Sequence, residues 1–323
     1  MEPLKFAPFL RTMVWGGEKI APYKGVETDQ KHIGESWEIS GYAEHETVVA
    51  EGPYAGRTIS SLVKEFKGKL VGEHVYARCG DEFPLLIKFI DALQDLSIQV
   101  HPDDAMALRR HGQRNGKTEM WYVISAEPGA CLYSGLSKPL TPEEYGRRVA
   151  DGSIVQVLAR HEVKPGDVFF LPAGRIHAIC SGCFLAEIQQ TSDLTYRIWD
   201  YGRLGLDGKP RQLHTELARE AIDYKVYENY RTEYTPVQDE EQEVVSCPYF
   251  TTSIYDLTLP YAKDLSELDS FMVVMCVEGS GALEVDGTEV PVHQGETLLI
   301  PATADDLCMV PDGPLKLLTF YIR

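Results

Sequence analysis

The chain has 323 residues, 44% of them hydrophobic and 25% charged, with 49 acidic against 31 basic side chains and a formal net charge of -18. That length can bury more than one core. The acidic balance disfavours nucleic acid, whose phosphates reward Lys and Arg surfaces. It leaves room for a small anionic ligand, because a few convergent cations reverse the sign inside a cleft. No apolar run approaches the roughly 18 residues of a bilayer span, and Met1-Glu2-Pro3-Leu4-Lys5-Phe6 lacks the basic and apolar regions of a secretory signal. A cytoplasmic protein with neither membrane nor nucleic-acid partners is expected. The seven cysteines fit this reading. Cys180 and Cys183 have no second pair to complete a zinc site, so reduced thiols are expected.

In chain order, Ser60 to Phe66 is a short helix candidate, and Phe83 to Ile90 and Leu96 to Val100 read as strands. Asp103 to Arg110 has acidic residues in its first turn, basic ones in its last and Gly112 beyond, the signature of a helix. Glu119 to Ile124 is a strand. Thr141-Pro142-Glu143-Glu144 supplies a cap, an N1 proline and a capping-box carboxylate for a helix reaching Ala150. Asp167 to Leu171 and Gly182 to Gln189 are strands. Glu228 to Glu243 is polar and acidic, and marks a boundary near 236. Beyond it, Phe271 to Ala302 alternates strands with Gly and Asp-Gly turns, as in half a jelly roll. Val163-Lys164-Pro165-Gly166-Asp167 through Leu171-Pro172-Ala173-Gly174 parallels His293-Gln294-Gly295-Glu296 through Ile300-Pro301-Ala302, a weak internal repeat. A mainly β fold is therefore expected, with two jelly-roll barrels, a few short helices and domains at 1–235 and 236–323.

Only the first half of the repeat continues to a histidine, His177; the second runs Thr303-Ala304-Asp305-Asp306. Gln99 and His101 are two apart on a strand, so they leave the same face, and Pro102 places them at a rim. Lys117 and Glu119 repeat that spacing. Two imidazoles, one carboxylate and one amide oxygen suit a hard-to-borderline cation with positions left open. Gln-x-His-Pro, Lys-x-Glu and Pro-x-Gly-x-x-His follow in the order by which cupin barrels build a metal site.

With Trp15-Gly16-Gly17, Gly34-Glu35-Ser36-Trp37-Glu38, Phe83-Pro84-Leu85-Leu86-Ile87-Lys88, Ser97-Ile98-Gln99-Val100-His101-Pro102-Asp103, Gly116-Lys117-Thr118-Glu119-Met120-Trp121, Pro172-Ala173-Gly174-Arg175-Ile176-His177 and Ser192-Asp193-Leu194-Thr195-Tyr196-Arg197, the chain resembles the type I mannose-6-phosphate isomerases of the shorter bacterial kind. The resemblance implies a cupin fold and one divalent metal, usually zinc, on Gln99, His101, Glu119 and His177. It implies active-site roles for Lys117, Glu187 and Arg197, and places Ser97, Lys88, Arg203 and Trp15 at the substrate pocket. Larger members carry an extra helical domain, for which this chain has no room between His101 and His177, and have a lysine where Arg203 stands. Arginine keeps that charge and adds a bidentate fork.

The implied reaction is interconversion of mannose 6-phosphate and fructose 6-phosphate through a cis-enediol, by a monomer or homodimer. Metal and Lys117 would polarise the substrate oxygens, Arg197 would stabilise the enediolate or shuttle a hydroxyl proton, and Glu187 would be the carbon base. Two other classes stay open: an iron cupin that oxidises with dioxygen, and an inactive sugar-binding cupin.

Overall fold

The computed structural model describes residues 1–323. Four antiparallel sheets are stacked in two sandwiches. In the first, a six-stranded sheet runs Val168–Leu171, Glu119–Ala126, Cys183–Gln190, Leu85–Asp91, Ile33–Ser40 and Phe9–Gly17. It faces a five-stranded sheet of Tyr196–Trp199, Ile98–Val100, His177–Ile179, Cys131–Leu136 and Leu158–Glu162. The second pairs a seven-stranded sheet, built mostly from residues 241–321, with the four-stranded sheet of Tyr261–Asp264, Asp306–Pro311, Ser280–Val285 and Thr288–His293. The mainly β, two-barrel cupin architecture is as expected, and no helix is long and apolar enough to cross a membrane.

The two sandwiches share a core. Its 33 buried residues include Phe83, Phe89 and Met120 from the six-stranded side and Phe271, Val273, Leu318 and Phe320 from the seven-stranded side. Ile33–Ser40, Leu85–Asp91 and Cys183–Gln190 are consequently buried at every position, apolar toward the neighbouring barrel and largely polar toward the interior of their own. Lys24 and Glu38, both buried, form an ion pair of 2.7 Å here, and the Lys24 ammonium also donates to the Gly295 carbonyl of the second barrel. The first strand crosses over outright: Leu4–Ala7 pairs with Thr297–Ile300, Leu4 opposite Leu299, and with Val48–Val49. Residues 4–7 and 48–49, which the division at 236 assigns to the first domain, thus hydrogen-bond into the second barrel's sheet.

The helices form where their caps predict. Asp103 accepts from the Met106 amide at 2.7 Å and Gly112 ends Asp104–His111 at φ 67°. Thr141 caps Pro142–Ala150, and Thr58 caps Ile59–Phe66. Met106, Tyr145, Val149 and Ala218 from three of the helices pack on the outer face of the five-stranded sheet. They close that face and leave the inner one for the site.

Candidate active site

Strand register fixes most of the site. On the five-stranded sheet, Gln99 lies directly opposite His177 on one side and Arg197 on the other, so all three side chains share one row and one face. On the six-stranded sheet Lys88 lies opposite Glu187, and Glu187 opposite Trp121. The two rows face each other across the barrel interior. His101 follows its strand at the rim. His177 is delivered by the turn Pro172-Ala173-Gly174-Arg175, where Gly174 adopts φ 86° and its amide donates to the His101 carbonyl at 2.9 Å. Any side chain at 174 would meet the left-handed penalty and stand 3.0 Å from the Ala221 carbonyl oxygen.

His101, Glu119 and His177 converge at the centre, each at most 1% exposed, with ligand atoms all within 4.8 Å of one another. Both imidazoles donate Nδ1–H to a backbone carbonyl, His101 to Leu194 and His177 to Arg175, each at 2.8 Å. This fixes the tautomer and turns both Nε2 lone pairs inward. They meet the Glu119 carboxylate at 3.5 and 3.2 Å. His101 Nε2 and both Glu119 oxygens are buried with no hydrogen-bond partner. Lone pairs turned on a carboxylate repel, and orphaned buried acceptors are costly. A cation between them removes both penalties, so the buried group can hold a metal ion. Gln99 stands beside it, its side-chain nitrogen 3.3 Å from His177 Nε2. An amide flip, which interchanges two atoms of similar electron count, would present its oxygen instead.

Burial also sets the protonation states. It pushes His177 down to about 4, against the bond to the Arg175 carbonyl, and Lys117 lowers it further. His101 falls well below its ordinary value for the same reason, with Lys117 and His177 adding to it. Glu119 is pushed up to about 7 by burial, although Lys117, at 3.2 Å, opposes the rise. Burial would raise Glu187 too, but the Lys88 and Lys117 cations overcome it and hold the carboxylate down at about 2. Lys88 lies 3.2 Å from Glu187, and Trp121 donates its indole N–H to the other oxygen at 2.8 Å.

Above this floor opens a cavity of about 210 Å³ lined by sixteen residues, only five of them hydrophobic. Such a polar lining suits a hydrophilic ligand. The pocket brings together the expected Trp15, Lys88, Ser97, Gln99, Lys117, Glu187 and Arg197. Arg203 is not in the lining; its guanidinium bonds Asp200 at 2.7 Å. Arg11, Glu35, Asp193 and Arg211 line the pocket and were given no role from sequence. Glu35 takes the Trp37 indole N–H at 2.6 Å and the Arg11 guanidinium at 3.2 Å. Trp37 is held between cations, Arg11 at 4.8 Å and Lys88 at 4.9 Å from its ring. Core packing of Trp37 and Trp121, the ordinary expectation for a buried tryptophan, is thus only part of their work, since each also orients a pocket carboxylate.

Comparison with known proteins reads the same arrangement from outside. Residues 4–135 match the catalytic domain of type I phosphomannose isomerases, and residues 240–315 match the mannose-6-phosphate isomerase cupin domain. Mannose-6-phosphate isomerase ManA of Bacillus subtilis is 33% identical over 303 residues, 93% of either chain. The mannose-6-phosphate isomerase of Streptococcus mutans is 33% identical over 321 residues, 99% of this chain and 98% of that one. The chain belongs to the mannose-6-phosphate isomerase family. A crystal structure of the Bacillus subtilis mannose 6-phosphate isomerase superposes over the whole of both chains with a TM-score of 0.90 at 31% identity. A phosphomannose isomerase variant from Salmonella typhimurium, at 17% identity and TM-score 0.80, shares the fold. The polar pocket and the buried His101, Glu119 and His177 group beside it thus lie in a chain of this family.

Proposed function

We propose that the chain interconverts mannose 6-phosphate and fructose 6-phosphate through a cis-enediol, with one divalent metal, zinc, on Gln99, His101, Glu119 and His177. The observation that carries this reading is the convergence of the buried His101, Glu119 and His177 side chains, with His101 Nε2 and both Glu119 oxygens left without a hydrogen-bond partner. Two imidazoles, a carboxylate and an amide oxygen are a donor set that zinc accepts with positions left open. When bound, the ion supplies Lewis acidity at the sugar's carbonyl and hydroxyl oxygens.

The chain's own groups do the rest. Lys117 stays protonated, because its carboxylate neighbours outweigh the burial that would otherwise lower it, and its ammonium faces the pocket as a fixed positive charge. Arg197, on the Gln99 row, offers a second cation to the enediolate oxygens. Glu187 is ionised and ready to accept the carbon-bound proton, but Lys88 keeps it a weak base. A sugar oxygen that takes over the Lys88 hydrogen bond raises its basicity when it is needed. The division of labour places chemistry in residues 1–235 and support in 236–323, apart from the crossing segments at the N-terminus.

Metal analysis with a coupled assay for fructose 6-phosphate, before and after chelation, tests the reading. Turnover that disappears with the metal and returns with zinc is expected. Full turnover by metal-free protein overturns the metal, and oxygen uptake with bound iron in place of isomerisation overturns the reaction.

A further inference from the structure

We propose that Cys131 and Cys180 form a thiol modification site, at which hydrogen peroxide drives a reversible disulfide that loosens the adjoining pocket wall. Neither thiol takes part in the isomerisation.

Strand register brings the two residues together. Cys131–Leu136 pairs with His177–Ile179, Ile179 opposite Leu132, and the ladder closes with the Cys180 amide donating to the Cys131 carbonyl at 3.2 Å. Residues opposed in this way have Cα atoms about 5.5 Å apart, inside the window of about 4.4–6.8 Å that a disulfide spans. Alternation sets the face they share. Leu132 and Ile179 point into the barrel, where they join one core cluster and Ile179 lines the pocket. Cys131 and Cys180 therefore point outward, as do Tyr133 and Ala178, which pack with the helices. They are 8% and 6% exposed, which leaves an edge open to a molecule as small as peroxide without passage through the pocket.

All seven cysteines are free, and none of the other five faces a cysteine across a strand pair. Cys183 comes close, but it is fully buried, its thiol donates to the Cys131 carbonyl at 3.3 Å, and burial pushes it up to about 12. Within the pair the roles differ. Contact with the Cys180 thiol, aided by Arg160 and opposed by burial, brings the Cys131 thiol down to about 7. The same contact, with burial, pushes Cys180 up. Arg160 lies opposite Tyr133, one diagonal step from Cys131.

Cys131 is thus the nucleophile and Cys180 the resolving thiol. The Cys131 thiolate attacks one peroxide oxygen, the O–O bond breaks, and the leaving hydroxide takes from solvent the proton that Cys131 had lost. Cys131 is then a sulfenic acid, oxidised by two electrons. The Cys180 sulfur attacks it, the S–O bond breaks, and hydroxide leaves with the Cys180 proton as a second water. A dithiol reductant reverses the bond.

The pocket feels this through the neighbours of Cys180. The Leu96 amide donates to the Ile179 carbonyl and the Ser181 amide to Asp95 Oδ1, both at 2.8 Å. Leu96, Ser97 and Ile179 all line the pocket. A disulfide sets its sulfurs about 2.05 Å apart, closer than two thiols can stand, so forming it shifts Cys180 and this clamp with it.

Peptide mapping and steady-state kinetics on the metal-loaded full chain, before and after stoichiometric hydrogen peroxide, test this. Mapping is expected to show a Cys131–Cys180 disulfide. KM for mannose 6-phosphate should rise about 3- to 10-fold, the range of one neutral hydrogen bond, and return with dithiothreitol. Cys131→Ser and Cys180→Ala should keep the untreated KM and lose the response to peroxide. Cys131 and Cys180 that stay separately alkylatable after peroxide overturn the proposal. So does a disulfide that leaves KM unchanged, or a peroxide response that both variants retain. Should Cys131→Ser not fold, Cys180→Ala reads the same loss of response. A wild-type enzyme that does not turn over mannose 6-phosphate overturns the isomerase reading alone, since peptide mapping still decides the site.

Discussion

The two barrels are written in the same local grammar and put it to opposite uses. In each, a Pro-Ala turn follows a buried strand and closes with the same hydrogen bond, Arg175 to the Pro172 carbonyl in the first and Ala304 to the Pro301 carbonyl in the second, both at 3.0 Å. Five residues after the proline the first barrel has His177, 1% exposed, while the second has Asp306, on the surface. The first interior holds orphaned acceptors at His101 and Glu119. The second is filled by a 17-residue cluster that includes Tyr255, Met272, Leu298, Leu307 and Leu317. A jelly roll is thus indifferent to whether its inside is dry or wet. What separates them is whether a few inward positions carry groups that need a partner the chain does not supply.

Substitutions at matched depth probe that contrast. The largest effect is expected for His177→Ala: loss of the metal and a fall in turnover of about a thousandfold, the equivalent of about 4 kcal/mol of transition-state stabilisation. Metal content and the coupled assay check it, and a metal-free variant that turns over at the wild-type rate would remove the site. Leu298→Ala in the second barrel should do the reverse, costing about 3 kcal/mol in urea unfolding while metal affinity stays put, because it opens a cavity in a packed apolar cluster. A shift in metal affinity comparable to that of His177→Ala would show that the second barrel takes part in the site.

A smaller effect concerns pH. The His177 imidazole has its pKa lowered on folding, from an ordinary 6.5 to about 4. Between those values the unfolded chain binds more protons, so stability rises with pH there. In metal-stripped protein the contribution is complete above pH 6.5 and lost as the pH falls towards 4, by about 3 kcal/mol if His177 alone titrates. Glu119, raised to about 7, opposes that slope over the same range, so the share of His177 is read as the difference in the pH dependence of urea midpoints between wild type and His177→Asn. The same pH dependence in wild type and His177→Asn would mean that the imidazole is not held dry.

Sequence made the group of His101, Glu119 and His177 legible because strand periodicity and a proline turn are local rules. Gln99 and His101 share a face by spacing alone, and His177 follows a turn whose glycine has to be left-handed. The helix caps at Asp103 and Thr141 were readable for the same reason. The pocket walls were not. Arg11 and Glu35 come from strands far from the ligands in sequence, and only the pairing of Phe9–Gly17 with Ile33–Ser40, and of that strand with Leu85–Asp91, carries them to Lys88. The resemblance places Arg203 at the pocket, where larger members have a lysine, and the lining does not include it. Arg211 is in the lining because the segment after Arg197 folds back. A doubled interpretation of Trp37 and Trp121 was equally out of reach, since burial and an oriented indole N–H leave the same trace in a sequence.

The strand Leu4–Ala7 has a consequence in time. Its partner, Leu298 and Leu299, is nearly the whole chain away. At a synthesis rate of about 5–20 residues per second, the first strand waits about 15–60 s before the edge it completes exists. Until then the nascent protein carries an unpaired β edge beside a finished or half-finished first barrel, the kind of edge that recruits other chains. The vulnerable moment in this enzyme's life is therefore the minute before its last residues leave the ribosome.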